Sequence, residues 1–374
     1  MGVLRSTEGN GPTILARFAA HKRALAGVMQ TGLAKSHRSN PAFAIQIERM
    51  YAVPVLLSGL ASLVLSKKEV DMIDAHYQET LRQLQKLHKN TPRCVTYFLA
   101  GSLPGSALLH LRQLTLFSMI CALPENILHQ LASNFFNAIT NFNGSWFQQI
   151  RNLCLMYNLP HPMSILSADH NKNDFKIYAK KQVISFWELT LRQEAIVLKS
   201  LTSFKPYFMS LTTPHPLWKT AGHSPYKIAM ATVQAKMLSG RYRTEGLTRH
   251  WNSVNDGCCL LSPSCSDTLE DLVHILKICP ALNGTRSFLY DYTVSYSDSL
   301  PINLRNLLRK KCDPSMPFFV QFILDCSSDP NVVLICQEEG YHILEPLFNV
   351  TRIWAYVIHR ERLKLLGRWR PGGN

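Results

Sequence analysis

Acidic side chains are scarce in this sequence, which contains 25 Asp and Glu residues against 40 Lys and Arg residues. Adjacent carboxylates occur only at Glu270-Asp271 and Glu338-Glu339. Nucleotidyl transfer requires paired carboxylates that hold two divalent ions. The first pair lies at the predicted start of a helix, where negative charge stabilises the N-terminus, and the second is typical of a solvated surface. We therefore expect no nucleotidyl-transfer centre in this chain.

Signature motifs of several other enzyme classes are also missing. There is no Gly-x-x-x-x-Gly-Lys phosphate loop, no Gly-x-Ser-x-Gly nucleophile elbow and no His-Glu-x-x-His metalloprotease motif. The 14 histidines are spread along the chain, and His274 is the one with the spacing of a metal ligand. A lone His in an apolar helix, such as His110 or His129, is more often a core or surface residue than a catalyst. We predict that the chain is not an enzyme and takes no small-molecule substrate.

Uninterrupted apolar runs of the ~20 residues that a membrane span requires are absent too. The run over residues 51–65 is broken by Pro54 and Gly59, and it predicts a buried helix that begins near residue 41 and kinks at Pro54. The N-terminus lacks the apolar segment of a secretory signal, and its Met-Gly-x-x-x-Ser match to the myristoylation pattern is interpreted as coincidence. Cysteines outside residues 258–279 are scattered through apolar stretches, which suits a reducing compartment. We expect an intracellular protein, in the cytoplasm or nucleus, with no membrane partner.

Helical periodicity is present along almost the whole sequence. The 374 residues, 46% of them apolar and 17% charged, indicate a globular protein of two or three packed units. Ser66 and Glu69 form a capping box that predicts a helix with Ile73 on its buried face. Residues 107–122 are apolar almost all round and predict a central helix. Strands are few, with one candidate at residues 332–336. The pattern predicts a mainly α fold.

One segment concentrates residues that bind metal. Cys259, Cys265, His274 and Cys279 follow the spacing Cys-x5-Cys-x8-His-x4-Cys. A structural Zn²⁺ site takes four such ligands at tetrahedral corners, and three thiolates with one imidazole complete it. Cys258 is a spare thiol beside the first ligand and is an alternative to Cys259. The other interpretation is a group of buried free cysteines, since Cys is among the most buried residue types.

Local signals around this segment favour convergence of the ligands. Thr268 and Asp271 are spaced as a capping box, which predicts a short helix from about residue 269 that carries the histidine on its second turn. Pro280 disfavours helix at Cys279. The chain can therefore turn back there and direct that thiol towards the metal.

Two basic stretches are candidates for contacts with nucleic acid. The formal charge of +15 favours a polyanionic partner, either nucleic acid or an anionic membrane. The first stretch leads into the cysteine-rich segment and supplies Lys236, Arg241, Tyr242, Arg243 and Arg249. The second closes the C-terminal helix and supplies Arg360, Arg362, Lys364, Arg368 and Arg370. Cations contact phosphates and a ring stacks on a base. The alternatives are that Tyr242 packs beneath the zinc loop while the arginines are solvated, and that the C-terminal cations stabilise the helix end.

Three phrases of the sequence carry a resemblance to a known family. Residues 2–6 read GVLRS, residues 51–59 read YAVPVLLSG, and residues 236–245 read KMLSGRYRTE, followed by the Cys/His cluster and Glu-Asp-Leu. They resemble, in turn, the primer-grip segment, the Tyr-x-x-Pro-x-Leu-Leu-Tyr-Gly run of the thumb and the zinc-bearing segment of reverse transcriptases from LINE-type non-LTR retrotransposons. Ser58 replaces the family's aromatic residue, and the x5 cysteine spacing is also a departure. The likeness covers about residues 1–290.

The resemblance implies a thumb that cradles a template–primer duplex and a zinc segment that binds RNA or target DNA. It also implies that the fingers, the palm and the catalytic Asp pair lie upstream and are absent. Four regions follow from it. They are a thumb-like helical bundle at residues 1–160, a linker and helical connector at 161–222, a basic helix with a small Cys/His zinc module at 223–290, and a C-terminal helical region at 291–374.

The leading hypothesis is a non-catalytic, zinc-bearing, nucleic-acid-binding fragment of a retrotransposon reverse transcriptase polyprotein. Binding to RNA or DNA should have weak sequence specificity. One alternative is an all-helical protein-interaction scaffold without nucleic-acid binding. Another is the C-terminal piece of a longer, active RNA-directed DNA polymerase.

Overall fold

Helices make up most of the computed structural model, which describes residues 9–30, 39–123, 125–137, 144–167, 172–249 and 256–367. In chain order the α-helices in these ranges are α1 Gly11–Val28, α2 Pro41–Ile47, α3 Val53–Leu56, α4 Lys67–Leu84, α5 Arg93–Ala100, α6 Gly105–Cys121, α7 Ile127–Asn137, α8 Trp146–Met156, α9 Pro162–Ser167, α10 Lys172–Val197, α11 Pro216–Lys219, α12 Pro225–Leu238, α13 Glu245–Thr248, α14 Asn283–Ser297, α15 Ile302–Lys311, α16 Phe319–Leu324, α17 Pro330–Glu339 and α18 Leu344–Leu365. The same ranges contain no strand, only an isolated antiparallel bridge between Cys258 and Leu269. The prediction of a mainly α fold is confirmed.

The capping box at the start of α4 is present as predicted. The Ser66 side chain accepts a hydrogen bond from the backbone N–H of Glu69, and the Glu69 carboxylate accepts one from the backbone N–H of Ser66. Ile73, Tyr77 and Leu81 then follow at helical spacing and are fully buried. A local signal of only four residues therefore determines where this helix begins.

Helix α6 lies at the centre of the N-terminal half, as its composition predicts. It packs against α4, α8, α9 and α10. Leu109, Leu114 and Phe117 are buried on different sides of it. A helix with neighbours on several sides exposes little of its surface, which explains its lack of a polar stripe.

One bent pair of helices has the length and composition of a membrane span. Among the described residues, no single helix is both long and apolar enough for a span, whereas α5 and α6 meet the test together with a 63° bend between them.

The segment before α4 is not the single kinked helix that the sequence predicts. A π-helical turn, Glu48–Ala52, separates α2 from α3. The N–H of Val53 bonds the carbonyl of Glu48, five residues back, immediately before Pro54. Proline cannot donate to the helical ladder, so the wider turn relieves the clash it creates. The helix then stops before Gly59, whose φ of 77° is left-handed.

The predicted strand at residues 332–336 is wrong, because this run belongs to α17. Asp329 caps the helix by accepting from the backbone N–H of Asn331, at 2.9 Å. Pro330 occupies the first helical position, where its missing N–H costs nothing. The periodicity of a five-residue apolar run fits a strand and a buried helix equally well. The Asp329 cap and Pro330 favour the helix here.

Helix α18 connects the C-terminal elements. It packs against α12, α14 and α16. Trp354 on α18 is fully buried, donates to the Thr293 hydroxyl at 2.9 Å and meets Phe319 edge-to-face at 5.1 Å between ring centroids. Helix α12 belongs to the predicted third region and α18 to the fourth, so the core is continuous across that boundary. The four regions stay a prediction.

Candidate metal centre

The four predicted metal ligands converge in the structure. One donor atom from each of Cys259, Cys265, His274 and Cys279 lies within 4.8 Å of the others, and all four residues are buried. The Cys279 sulfur lies 3.8 Å from that of Cys259 and 4.0 Å from that of Cys265. Metal–sulfur bonds of about 2.3 Å at tetrahedral corners place two sulfurs ~3.8 Å apart. The cluster has the spacing and the ligand types to hold a metal ion.

A short antiparallel pairing of residues 257–259 with residues 268–270 positions Cys258 and Cys259. The backbone N–H of Cys259 donates to the Thr268 carbonyl at 2.9 Å, and the N–H of Glu270 donates to the Gly257 carbonyl at 3.0 Å. Because side chains alternate along extended backbone, neighbouring Cys258 and Cys259 point to opposite sides. Cys259 is 2% exposed and belongs to the cluster, whereas Cys258 does not. Cys259, and not Cys258, is therefore the first ligand of the candidate site.

The histidine is carried by a helical turn that begins later than predicted. Asp271 caps this turn, accepting from the backbone N–H of His274 at 2.7 Å. Thr268 takes no part in the cap, because its backbone is engaged in the pairing with Cys259. The predicted start near residue 269 is therefore wrong by about one turn of chain, since the antiparallel pairing extends through that residue.

The last ligand leaves the helix as predicted. The N–H of Cys279 donates to the His274 carbonyl at 2.7 Å, which closes a π-helical turn. Cys279 itself has φ −52° and ψ 119°, an extended conformation that suits the residue before Pro280. A single proline thus turns the thiol back towards the histidine.

The His274 imidazole is buried and makes no hydrogen bond within the described part of the chain. It is 2% exposed, and neither ring nitrogen has a hydrogen-bond partner among the described residues. Burial lowers its pKa, which favours the neutral imidazole that metals bind. An unpaired polar atom in the interior is costly. A metal ion would satisfy one of the two nitrogens.

The thiols are buried but receive backbone hydrogen bonds. Burial raises the pKa of Cys259 to about 12 and also raises the pKa of Cys279. Acting in the opposite direction, the backbone N–H groups of Leu261 and Ala281 lie two residues beyond these cysteines and bond their sulfurs. A bound cation would deprotonate the thiols, and these N–H groups are placed to stabilise the resulting thiolates.

A buried arginine that the sequence reasoning missed supports the last ligand. Arg286 is 4% exposed and donates to the backbone carbonyls of Ile275, at 3.3 Å, and Cys279. It also donates to the Asn283 side chain. The Ile275 carbonyl lies within the π-helical turn, and the Cys279 carbonyl also accepts from the backbone N–H of Leu282 at 3.1 Å. An arginine 12 residues after the candidate histidine ligand carries no sequence signal for this role.

Glu270 connects the metal segment to the C-terminal helix. Its two carboxylate oxygens accept from the guanidinium of Arg362 at 2.9 and 2.7 Å, and both side chains are at most 2% exposed. Burial lowers the pKa of Arg362, but the Glu270 carboxylate and Tyr242 together more than offset this, so the pKa is raised overall. The expectation that Arg362 contacts phosphate is wrong, because its guanidinium binds Glu270. Glu270 itself is directed at Arg362 and at the start of α13, and not at the start of the predicted histidine-bearing helix.

Tyr242 is not available to stack on a base. It is 7% exposed, its hydroxyl hydrogen-bonds Nδ1 of His359 at 2.7 Å, and the Arg362 guanidinium lies 5.7 Å from its ring centroid. The predicted stacking role is therefore wrong, and the alternative of a ring packed beneath the loop describes its position. Its hydroxyl partner on α18 could not be anticipated from spacing.

The cations of the first basic stretch remain largely at the surface. Lys236, Arg243 and Arg249 are exposed, and Arg241 is half-buried. None of the four has an acidic partner within 4.0 Å among the described residues. The other predicted contacts, Arg368 and Arg370, lie outside the described residues.

No family profile, curated protein or solved structure matches the chain. The resemblance to retrotransposon reverse transcriptases therefore stays a prediction, based on the phrases quoted above. The assignment of the four candidate metal ligands is based on the positions of their donor atoms.

Replacing Cys259 by Ser should abolish metal binding, whereas replacing Cys258 by Ser should leave it intact. Only the first sulfur belongs to the cluster, so the wild type and Cys258→Ser should hold about one ion per chain. Elemental mass spectrometry of the purified proteins measures the stoichiometry. Loss of metal from Cys258→Ser with retention in Cys259→Ser would reverse the assignment.

Replacing Glu270 by Gln should destabilise the fold strongly, because it leaves the Arg362 guanidinium buried without a counter-charge. We expect a loss of about 3–5 kcal/mol in the free energy of unfolding. The matched control is Glu361→Gln on α18, the helix that carries Arg362, where Glu361 and its partner Lys364 are 32% and 44% exposed. That change should cost no more than about 1 kcal/mol. Urea unfolding of the two variants compares them, and equal losses would contradict the structural role of Glu270.

Proposed function

We propose that this chain is a non-catalytic nucleic-acid-binding protein in which a structural zinc ion braces a basic surface. The basic surface consists of Lys236, Arg241, Arg243 and Arg249. The observation that carries the proposal is the convergence of three thiols and one imidazole within 4.8 Å. This metal segment is joined by hydrogen bonds to the loop that bears the arginines.

Zinc fits the donor set better than other common ions. Thiolate and imidazole ligands suit a borderline-soft cation and exclude Mg²⁺ and Ca²⁺, which take oxygen ligands. Four protein ligands also complete the tetrahedron, so no position remains open for a water or a substrate. A closed site of this kind stabilises structure and supplies no chemistry.

Glu270 transmits the order of the metal segment to the basic surface. Its carboxylate accepts from the backbone N–H of Glu245 at 2.6 Å, and its carbonyl accepts from the N–H of Gly246 at 3.1 Å. These two residues begin α13, which lies between Arg243 and Arg249. Metal binding would hold Glu270 in place, and Glu270 would hold the loop that presents both guanidinium groups.

The unpaired state of the arginines is what distinguishes them as ligands for phosphate. Arg286 and Arg362 are buried and committed to partners within the protein. Arg243 and Arg249 are exposed without acidic partners among the described residues. A guanidinium group forms paired hydrogen bonds with phosphate oxygens. Contacts to the backbone of a nucleic acid carry little sequence information, so binding should be weakly sequence-specific.

A protein-interaction scaffold is the second candidate function, favoured by an exposed apolar surface. Met119, Leu123, Ile127 and Leu131 lie at the end of α6 and along α7 and are 44–69% exposed. Large exposed apolar side chains mark many protein interfaces. A scaffold would not bind RNA in a saturable, salt-sensitive manner.

Protein purified without chelator should contain about one zinc ion per chain. Its removal by a strong chelator should weaken binding to single-stranded RNA, because the loop bearing Arg243 and Arg249 loses its support. Metal analysis and fluorescence anisotropy on the same samples test both points. Unchanged RNA affinity in the zinc-free protein would separate the metal from the binding surface.

Replacing Arg243 and Arg249 together by Ala should reduce the salt dependence of RNA binding. Each lost phosphate contact lowers the slope of log K against log salt by about 0.7 for a single strand. The control is the double variant Lys180→Ala/Lys181→Ala, which removes two exposed charges from α10. Those lysines lie roughly 25 Å along the helix from its C-terminal end. Ser200, just beyond that end, lies against Gly240, the residue before Arg241. Equal slopes in the two double variants would overturn the assignment of the basic surface.

A further inference from the structure

A second concave site lies away from the metal centre. It is a cavity of about 520 Å³ between the loop at residues 208–216, α11 and the residues that lead from α16 into α17. It shares no residue with the metal cluster or the basic surface. Its walls are mostly apolar and are formed by Phe98, Phe208, Met209, Pro214, Val333 and Leu344. The volume lies in the range of pockets that hold small organic ligands.

The polar floor of the cavity is built around a buried carboxylate. Asp325 is 1% exposed and lines the cavity. Its Oδ1 accepts from the Ser327 hydroxyl at 2.6 Å and from the Ser327 backbone N–H at 3.1 Å. Nε2 of His215 lies 3.5 Å from the same oxygen. All the partners of this carboxylate in the described residues are therefore directed at Oδ1.

These three residues are not a nucleophilic triad. Nδ1 of His215 accepts from the backbone N–H of Leu217 at 3.1 Å, which leaves the proton on Nε2. Ser327 and Asp325 both approach that protonated Nε2, at 3.4 and 3.5 Å. A triad requires the serine and the aspartate on different nitrogens, with an unprotonated nitrogen facing the serine. The arrangement binds rather than catalyses.

The second oxygen of Asp325 is left without a donor. Oδ2 has no hydrogen-bond partner among the described residues. The nearby Ser328 hydroxyl does not supply one, because it donates to the Asp325 backbone carbonyl at 3.0 Å. Burial alone would raise the pKa of Asp325, but His215 and Ser327 lower it below its ordinary value, so the carboxylate stays ionised. An ionised acceptor without a partner in a cavity wall calls for an N–H donor from a ligand.

The mouth of the cavity favours a ligand with an anionic end. Lys219 lines it, is exposed and has no acidic partner within 4.0 Å among the described residues. The rings of Phe208 and Tyr341 also line the cavity and are 55% and 77% exposed, so they can contact a flat aromatic group. A simple organic ammonium would satisfy Asp325 but would be repelled by Lys219. A nucleotide combines the flat ring, the amino group and the phosphate.

We propose that this cavity binds a nucleotide whose base carries an exocyclic amino group, with that group donating to Oδ2 of Asp325 and the phosphate near Lys219. The source is either a free mononucleotide or an unpaired base of a single strand. This binding goes beyond the proposed zinc-braced surface and does not require the metal.

Calorimetric titration with adenosine 5′-monophosphate tests the proposal on the full-length protein. Purine riboside 5′-monophosphate, which lacks the amino group, should bind about 10- to 100-fold more weakly, because a hydrogen bond to a charged acceptor is lost. Asp325→Asn should weaken binding of the adenine nucleotide by a similar factor. The matched control Asp298→Asn, at a side chain 58% exposed in a surface pair, should leave binding unchanged.

Val333→Phe provides a second variant in case Asp325→Asn unfolds, because Val333 lines the cavity and is not a partner of the carboxylate. It should abolish nucleotide binding while thermal unfolding remains cooperative. Competition between the mononucleotide and a short oligoadenylate identifies the source, since a strand that binds through this cavity is displaced by the mononucleotide. Equal binding of the two nucleotides, tighter binding of phenethylamine than of the nucleotide, or no binding by the folded wild type would overturn the proposal.

Discussion

The buried pair of Glu270 and Arg362 is the interaction on which the C-terminal half depends. Its two charges lie within a region shielded from water, where each would be costly alone. The paired geometry uses both carboxylate oxygens, and the backbone of α13 adds a further donor. Three separate elements meet at this one side chain: the metal segment, the loop of the basic surface and α18. Moving any of them leaves an unpaired charge in the interior.

The arginines divide into two groups by what surrounds them. Arg286 and Arg362 have partners in the interior. Arg286 donates to the backbone carbonyls of Ile275 and Cys279, and Arg362 neutralises the buried carboxylate of Glu270. Arg243 and Arg249 have no such task among the described residues. The positive charge of the sequence therefore overstates the charge available to a partner. The exposed set is smaller, and hydrogen bonds between Glu270 and the start of α13 join the loop that carries it to the metal segment.

Local signals predicted much of the fold and most of the metal cluster. Ser66 marked the start of α4, and Pro280 marked the turn that returns Cys279 to the cluster, since caps and prolines act over a few residues. The failures are non-local. Tyr242 was misjudged because its partner His359 lies 117 residues away, and Glu270 because Arg362 lies 92 residues away. Sequence spacing carries no information on such pairs. The choice between Cys258 and Cys259 likewise needed the bridge to Leu269.

The separation of Glu270 from Arg362 has a consequence for how the protein is made. During synthesis the cysteines and the histidine emerge from the ribosome well before α18, and they can meet an ion as soon as they are free. Glu270 lies between these ligands in the sequence. Its carboxylate has no guanidinium partner until Arg362 is translated 92 residues later. Until then the carboxylate must stay in water or be protonated. The metal segment therefore cannot reach its final buried position before Arg362 is made. If the cluster binds a metal ion, that binding and the completion of the core can therefore occur at different times, because Arg362 is translated 92 residues after Glu270.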